Sequence, residues 1–482
     1  MKLEKILLNY FGYPSFRSNQ KDIIQSVVDK NDTLVIMPTG GGKSLCYQIP
    51  GLYFSHTTIV ISPLISLMQD QVQALEKRNI PATYINSSLS KDELNNRLKN
   101  LDQFKFIYLA PERLQTNSWQ EASKNLKISL IAIDEAHCIS EWGHDFRPPY
   151  LQISQYIQSL AEKPPILALT ATATVKTKNE IISSLNLTGA NIFLGSFTRT
   201  NLNLIIKHYP TIFEKELNLF KLLLKHQGQS GIIYTQTRKQ AEYIAKLVNF
   251  YFPDNDCQSY HGGQSSEQRK NIQEDFISNK INLITATNAF GMGVDKANIR
   301  FVIHFGTPGS IENYYQEVGR AGRDGKISWC YLLHHPHDLE INKQLIEKSE
   351  QLETLNKKQQ ILKKEKLKAI INLITQQTCL TKQLENYFGN DNETITSDCS
   401  CSVCKKTVIN FTPKQIKDIQ KLLQQRQLLA KKHKLNIEQI MTDQIIAWIA
   451  LLCPRSKSDF LKIPGIGRGW VERWSDDIIP HI

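Results

Sequence analysis

Between Thr33 and Gly306 the chain alternates short, unbroken apolar runs with longer stretches in which polar and apolar residues mix. The runs are TLVIM (33–37), TTIVIS (57–62), FKFIYLA (104–110), LIAID (130–134), ILALT (166–170), GIIYT (231–235) and FVIHFG (301–306). Each has strand length and is followed by turn residues and a helical stretch. Continuous rather than alternating hydrophobicity means that both faces of the strand are covered, as in a parallel sheet flanked by crossover helices. The pattern occurs twice, over about 33–195 and 230–330. It predicts an α/β fold in two lobes joined near Thr198–Pro210. After Asp338 the strands stop. Residues 339–378 are rich in Lys, Gln, Leu and Glu and read as helices, another helix begins near Thr412, and the last stretch reads as a compact helical unit.

Composition narrows the function classes. With 482 residues the chain exceeds one core and predicts three or four domains. No stretch approaches the ~20 continuous apolar residues that cross a bilayer. The start, MKLEKILLNYFGYPSFRSNQ, lacks the apolar core and cleavage site of a signal peptide. A cytoplasmic protein is expected, nucleoid-associated if the host is bacterial. The formal charge of +12 favours polyanionic partners, because neutralised phosphates release their counterions. Of nine cysteines, Cys46, Cys138, Cys257, Cys330 and Cys453 are scattered and read as small buried residues. Cys379, Cys399, Cys401 and Cys404 cluster instead, and in a reducing compartment four thiolates read as a structural Zn²⁺ site.

The chemistry lies at strand ends. MPTGGGKS (37–44) leaves an apolar strand and enters an apparent helix. Such a turn lets backbone N–H groups wrap phosphate oxygens at a helix N-terminus. Thr39, Gly40, Gly41 and Gly42 would form the cradle. Lys43 would reach the β and γ phosphates, and Ser44 would hold Mg²⁺. Met37 stands where the usual pattern has Gly. LIAIDEAH (130–137) delivers Asp134 to the Mg²⁺ shell and Glu135 to polarise an attacking water. Together they read as an NTPase.

These motifs resemble the RecQ family of superfamily 2 DNA helicases, and the resemblance runs from about Tyr10 to Asp338. It implies two tandem RecA-like (P-loop NTPase) lobes with parallel sheets, ATP as the nucleotide, and 3′-to-5′ unwinding of DNA in recombination, repair or replication. FGYPSFRSNQ (11–20) resembles the family's adenine-reading segment: Tyr13 and Arg17 would sandwich the base and Gln20 would bond its edge. ISPLISLMQDQV (61–72), YLAPERL (108–114) and ALTATA (168–173) resemble its DNA-gripping motifs, with Ser62 on a phosphate. CISEWGHDFRPPY (138–150) resembles the aromatic-rich loop that links DNA occupancy to hydrolysis, with Trp142, His144, Phe146 and Arg147 on DNA. In the second lobe, YHGG (260–263) places His261 toward DNA, and the block 286–325 is nearly diagnostic. Arg323 is expected as an arginine finger with Arg320 assisting from the same helical face, and Gln316 and Asp295 as polar partners.

The resemblance also divides the chain: lobe 1 at 1–205, lobe 2 at 206–340, a helical zinc-binding subdomain at 341–408, and a small all-α helicase-and-RNase-D C-terminal (HRDC)-like domain at 412–482. Two departures stand out. Leu380 and Thr381 replace the family's Arg pair after the first cysteine, and only a short segment separates Cys404 from the last domain, where longer relatives carry a winged helix. Expected partners are single-stranded and forked or 3′-tailed duplex DNA, with a single-strand-binding protein as a further candidate and a monomer as the preferred state. The alternative is a DNA-stimulated translocase or annealing factor that separates strands weakly. A DNA scaffold with a dead motor is disfavoured by Lys43, Asp134, Glu135, Arg320 and Arg323; an RNA helicase is disfavoured by the 286–325 block and the cysteines.

Overall fold

The computed structural model describes residues 2–17, 19–143, 145–252, 256–291, 296–351, 357–390, 399–405, 413–463 and 465–482. His144 and Asp295, both expected at the site, lie outside them. The first sheet comprises β1 (Thr33–Ile36), β2 (Thr57–Ile61), β3 (Ala82–Ile85), β4 (Phe106–Leu109), β5 (Ile128–Ile133), β6 (Ile166–Thr170) and β7 (Asn191–Leu194). Its strands run parallel in the order β3-β4-β2-β5-β6-β1-β7. The second comprises β8 (Leu202–His208), β9 (Gly231–Tyr234), β10 (Cys257–Tyr260), β11 (Leu283–Ala286), β12 (Phe301–His304) and β13 (Ser328–His334). They too are parallel, in the order β10-β11-β9-β12-β13-β8.

The unbroken apolar runs have the origin expected of them. In β1, Leu34 and Ile36 face one hydrophobic cluster while Val35, with Met37 just past the strand, faces another on the opposite side of the sheet. Successive side chains point to opposite faces, so a strand covered on both sides must be apolar throughout. β5 and β6 lie between β2 and β1, so the segments leaving β1, β2, β5 and β6 open together at the carboxyl edge of the sheet, where open α/β sheets bind ligands.

One boundary moves. The expected division at 205 falls inside β8, which pairs along its length with β13, from Leu202–Ser328 to His208–His334. The linker between the sheets is therefore 195–201. The run LNLIIKH carries no sign of which sheet it joins, since pairing with a strand more than a hundred residues away is a tertiary choice.

Beyond β13 the described elements are helical. Helices at Pro336–Gln351, Lys357–Thr375 and Leu380–Tyr387 lead to the cysteines, and Pro413–His433, Asp443–Leu452 and Arg468–Ile478 are the longer ones of the last unit. Among the described residues no helix is long and apolar enough to cross a membrane. The helix DQIIAWIALL (443–452) packs on Ile212–Lys225 of lobe 2, and both contribute to one hydrophobic cluster. Trp448, 2% exposed, stacks on Phe220 with ring centroids 5.7 Å apart and an interplanar angle of 20°, and lies 5.1 Å from Phe252. Gln444 donates to Glu216 at 3.2 Å beside it. Trp448→Ala is expected to destabilise the full chain by about 3–5 kcal/mol through the lost aromatic volume. Denaturant melts would read this as lobe 2 and the C-terminal unit weakening together rather than as a separate early transition.

Candidate active site

The P-loop owes its shape to two glycines in the left-handed region, Gly40 at φ 82° and Gly42 at φ 84°, which only glycine adopts without strain. They turn the chain from β1 into the helix Lys43–Tyr53. The Lys43 ammonium donates to the Met37 carbonyl at 3.0 Å, curling the side chain back over the loop. Burial pushes its pKa down, opposed by the charges of Glu135 and Asp134. The expected adenine-reading residues brace this loop. Arg17 donates to the Gly40 carbonyl at 2.7 Å, and the Gln20 amide donates to the carbonyls of Gly41 and Gly42 at 3.3 and 3.2 Å. Gln20 is buried and Tyr13 is 48% exposed.

Asp134 and Glu135 sit just past β5. The Asp134 N–H donates to Ile61 of β2 at 2.9 Å, and the Tyr150 hydroxyl donates to the Asp134 carbonyl at 2.9 Å. Glu135 adopts φ 48° and ψ 45°, a left-handed conformation costly for a residue with a side chain and concentrated at functional sites. The two carboxylates part company in acidity. Burial, then the neighbouring Glu135, raises Asp134. Burial also works to raise Glu135, but His137, Lys43 and Arg320 outweigh it and hold that carboxyl low. The result is one ionised carboxylate beside one that a cation would keep ionised. His137, fully buried, is a residue that motif reading passed over. Its Nδ1 lies 3.3 Å from Glu135 and 2.9 Å from the hydroxyl of Thr170 at the end of β6. It ties the carboxylate motif to the ALTATA turn.

Lobe 2 closes over this site. Thr39 donates to the Gly319 carbonyl at 3.3 Å, across 280 positions of sequence. A Cβ on Gly40 would meet Arg199 Nη1 and Arg323 Cγ, each at 3.8 Å. Arg323 also lies within the electrostatic reach of Lys43, and Arg320 within that of Glu135. Burial and then the like charge of Arg323 lower Arg320 to about 10, so it stays a cation at neutral pH. The expected shared helical face is corrected here. The helix Ile311–Val318, which carries half-buried Gln316, ends before either arginine. Arg320 and Ala321 continue as i→i+3 turns, and Gly322, at φ 58°, breaks away so that its N–H reaches Ile299 at 2.9 Å. Spacing of three suits a tight turn as well as a helix, and the glycines decide for the turn.

The residues expected on DNA divide. Trp142 and Phe146 are partly exposed, and Phe146 lines a cavity of about 590 Å³ that also meets Tyr234, Gln236 and Lys363. The Lys176 ammonium lies over the Trp142 ring at 4.4 Å. Arg147 is engaged internally, paired with Asp145 at 3.0 Å and donating to Pro63 at 2.8 Å. Ser62 is 1% exposed, and His261 is 5% exposed with Nε2 3.0 Å from Glu242. These last two sit inside the lobes rather than on an open surface. Lys366 was not foreseen: it donates to the Gly143 carbonyl at 2.8 Å and pairs with Glu312 at 3.3 Å, tying the aromatic loop to lobe 2.

The four clustered cysteines meet in space. Their sulfurs lie within 4.8 Å of one another, with Cys379–Cys399 at 3.5 Å and Cys379–Cys401 at 4.0 Å. Thiolates on a tetrahedral Zn²⁺ at ~2.3 Å stand about 3.8 Å apart, so the donor set fits that ion. Of the scattered cysteines, Cys46, Cys138, Cys257 and Cys330 are buried and Cys453 is partly so.

Comparison with known proteins follows the same order along the chain. A DEAD/DEAH box helicase profile matches residues 17–181, a helicase conserved C-terminal domain 214–325, a RecQ zinc-binding profile 336–405 and an HRDC domain 418–482. The chain is 43% identical to the ATP-dependent DNA helicase RecQ of Bacillus subtilis, over 83% of this chain and 66% of that protein, so it spans just under two thirds of that relative. It is 45% identical to the probable ATP-dependent DNA helicase RecS of the same organism, over 72% of this chain and 69% of that one. Among solved structures it resembles the Mycobacterium smegmatis helicase Lhr bound to ssDNA and AMP-PNP, with a TM-score of 0.55 and 20% identity over 73% of this chain and 50% of that one, a likeness of fold. The order of four domains and the identity across both lobes place the chain in the RecQ helicase family.

Proposed function

We propose that this chain is an ATP-dependent 3′-to-5′ DNA helicase that moves along single-stranded DNA. One observation carries the reading: the P-loop, the two carboxylates and the paired arginines of the other lobe meet in a single cleft, joined by the Thr39–Gly319 hydrogen bond. In this reading Gly40 to Gly42 and Lys43 hold the phosphates of ATP. Ser44 and Asp134 would hold Mg²⁺, which supplies charge neutralisation at the phosphates. Glu135, held ionised by its neighbours, orients the attacking water, and Arg323 with Arg320 and Gln316 stabilises charge as it builds on the γ-phosphate. Tyr13 and Arg17 face the base, with Gln20 setting the height of the loop beneath it, and Asp295 remains a candidate partner from lobe 2.

Opening and closing of the cleft becomes movement because DNA contacts lie on both lobes. Trp142, Phe146 and the cavity beside them are read as part of the strand's path, flanked by Arg147, with Ser62 and His261 shaping the turns behind; His144, outside the described residues, remains a candidate DNA contact. His137 and Thr170 connect Glu135 to the ALTATA turn, another of the segments expected to grip DNA. The four cysteines would hold Zn²⁺ in a structural role. One chain supplies both halves of the cleft, which supports a working monomer; a single-strand-binding protein is a natural companion for the strand released. The proposed units are the two lobes, divided at the 195–201 linker, the cysteine-bearing helices to about 408, and the helical unit from 412.

A second reading, a DNA-stimulated translocase that separates strands weakly, has its own support. Between the zinc-binding profile, ending at 405, and the HRDC profile, starting at 418, no winged helix fits. ATP hydrolysis with and without single-stranded DNA tests what both readings share. Hydrolysis stimulated by DNA and reduced to background in Lys43→Ala is expected; a wild-type chain inert toward ATP in the presence of DNA would sink both.

A further inference from the structure

The linker between the lobes carries more than connectivity. Arg199 turns its guanidinium into lobe 2, where Nη1 donates to the Gly319 carbonyl at 3.2 Å and Nη2 to the Gly322 carbonyl at 2.6 Å. Gly319 immediately precedes Arg320, and Gly322 immediately precedes Arg323. A single planar fork thus holds the backbone on the N-terminal side of each arginine. Asn201 adds a second donor to the Gly322 carbonyl at 2.9 Å. The same guanidinium also lies against the P-loop, 3.8 Å from where a Cβ on Gly40 would stand.

The residues just before Arg199 are gripped by the cysteine-bearing subdomain. The hydroxyls of Ser196 and Thr198 both donate to one oxygen of Glu385, at 2.9 and 2.7 Å, and Asn390 donates to the other at 2.7 Å. Glu385 is 6% exposed, so this is a buried carboxylate satisfied by three donors. Phe197 stacks between them on Phe388, centroids 4.5 Å apart and planes 16° off parallel, while its carbonyl accepts from Tyr315 at 3.0 Å. Farther on, the Ser402 N–H between two of the cysteines donates to Leu204 of β8 at 2.8 Å. The chain is clamped on both sides of Arg199, within the linker and at the start of β8.

We propose that Arg199 is a positioning residue for the Arg320–Arg323 pair, and that the cysteine-bearing subdomain sets its place through Glu385 and Phe388. The inference rests on the ATPase reading above and adds a route by which a subdomain outside the cleft acts on hydrolysis. Flexible backbone before an arginine finger would cost rate, because a displacement of about 1 Å at a reacting geometry is worth about 100-fold.

The test measures kcat and KM for ATP at saturating single-stranded DNA in the full chain, with zinc content and melting temperature recorded for each variant. Arg199→Ala is expected to lower kcat by about 10- to 100-fold with KM within about threefold, zinc content unchanged and the fold retained at the assay temperature. Arg199→Lys is expected to stay impaired, since one ammonium cannot span two carbonyls as a planar fork does. Arg199→Ala added to an Arg320→Ala, Arg323→Ala background is expected to slow hydrolysis no further, the mark of one residue acting through the two others. Glu385→Ala, with zinc retained, should show a milder loss in kcat, and it carries the test if Arg199→Ala does not fold. Unchanged kcat in Arg199→Ala, a further multiplying loss in the triple variant, or full rescue by lysine would each overturn the proposal. A wild-type chain without DNA-stimulated ATPase would instead overturn the functional reading, and this inference with it.

Discussion

Arg323→Ala is expected to reduce DNA-stimulated ATP hydrolysis by about 10³-fold, while ATP still binds within a few-fold of the wild type. The asymmetry follows from where the residue stands. The phosphate cradle belongs to lobe 1, formed by the backbone of 39–42 with Lys43, and is braced from within that lobe by Arg17 and Gln20. Arg323 comes from lobe 2 and meets the loop at Gly40, so its removal leaves the cradle intact. What is lost is a cation aimed at charge that develops only during the reaction, and such interactions enter kcat rather than ground-state binding. Steady-state ATPase kinetics with a fluorescent-nucleotide titration would check it. Equal losses in binding and turnover would mean that Arg323 serves the ground state.

Metal removal should have the other large effect, on the fold itself. Cys401→Ser, or prolonged chelation, is expected to abolish zinc stoichiometry and to lower stability by more than about 4 kcal/mol. Four converging sulfurs, from buried Cys401, half-buried Cys379 and Cys399 and exposed Cys404, lose their common partner when the metal goes. Burial opposes ionisation of Cys401, yet N–H groups of Cys404 and Leu380 pull its thiol down to about 7, which prepares it as a thiolate ligand. The damage should spread. Ser402 is bonded to β8 through Leu204, and its hydroxyl accepts from the Ile206 N–H at 3.4 Å, so the edge strand of the second sheet loosens with the knuckle. Mass spectrometry of the native chain together with thermal melts would measure both parts. A Cys401→Ser chain with wild-type stability would assign the cluster no structural role.

Much of this architecture was legible from local pattern. Strands such as TLVIM and LIAID announced themselves because a strand buried on both faces must be apolar at every position, as Leu34 and Val35 illustrate by facing opposite clusters. The nucleotide cradle was legible because glycine, lysine and serine at that spacing answer a local geometric demand. What escaped depends on distant partners. β8 looked like part of a connection until its pairing with β13 assigned it to the second sheet. Arg320 and Arg323 suggested a helix by spacing, but Gly319 and Gly322 end it. Arg199 carries no local signal, because its acceptors lie some 120 positions away. The last stretch read only as a compact helical unit, and nothing local named Phe220 as what Trp448 packs against. Ser62 and His261 matched motifs, yet the fold tucks both inside.

In the proposed function, ATP hydrolysis in the cleft drives this chain along a strand in one direction and parts the duplex ahead. Strand separation on duplexes carrying either a 3′ or a 5′ single-stranded tail, with ATP and Mg²⁺ and with Lys43→Ala alongside, tests it most directly. ATP-dependent release of the displaced strand is expected from the 3′-tailed duplex, little from the 5′-tailed one, and none from Lys43→Ala. Vigorous DNA-stimulated hydrolysis with neither duplex separated would contradict it and leave a translocase.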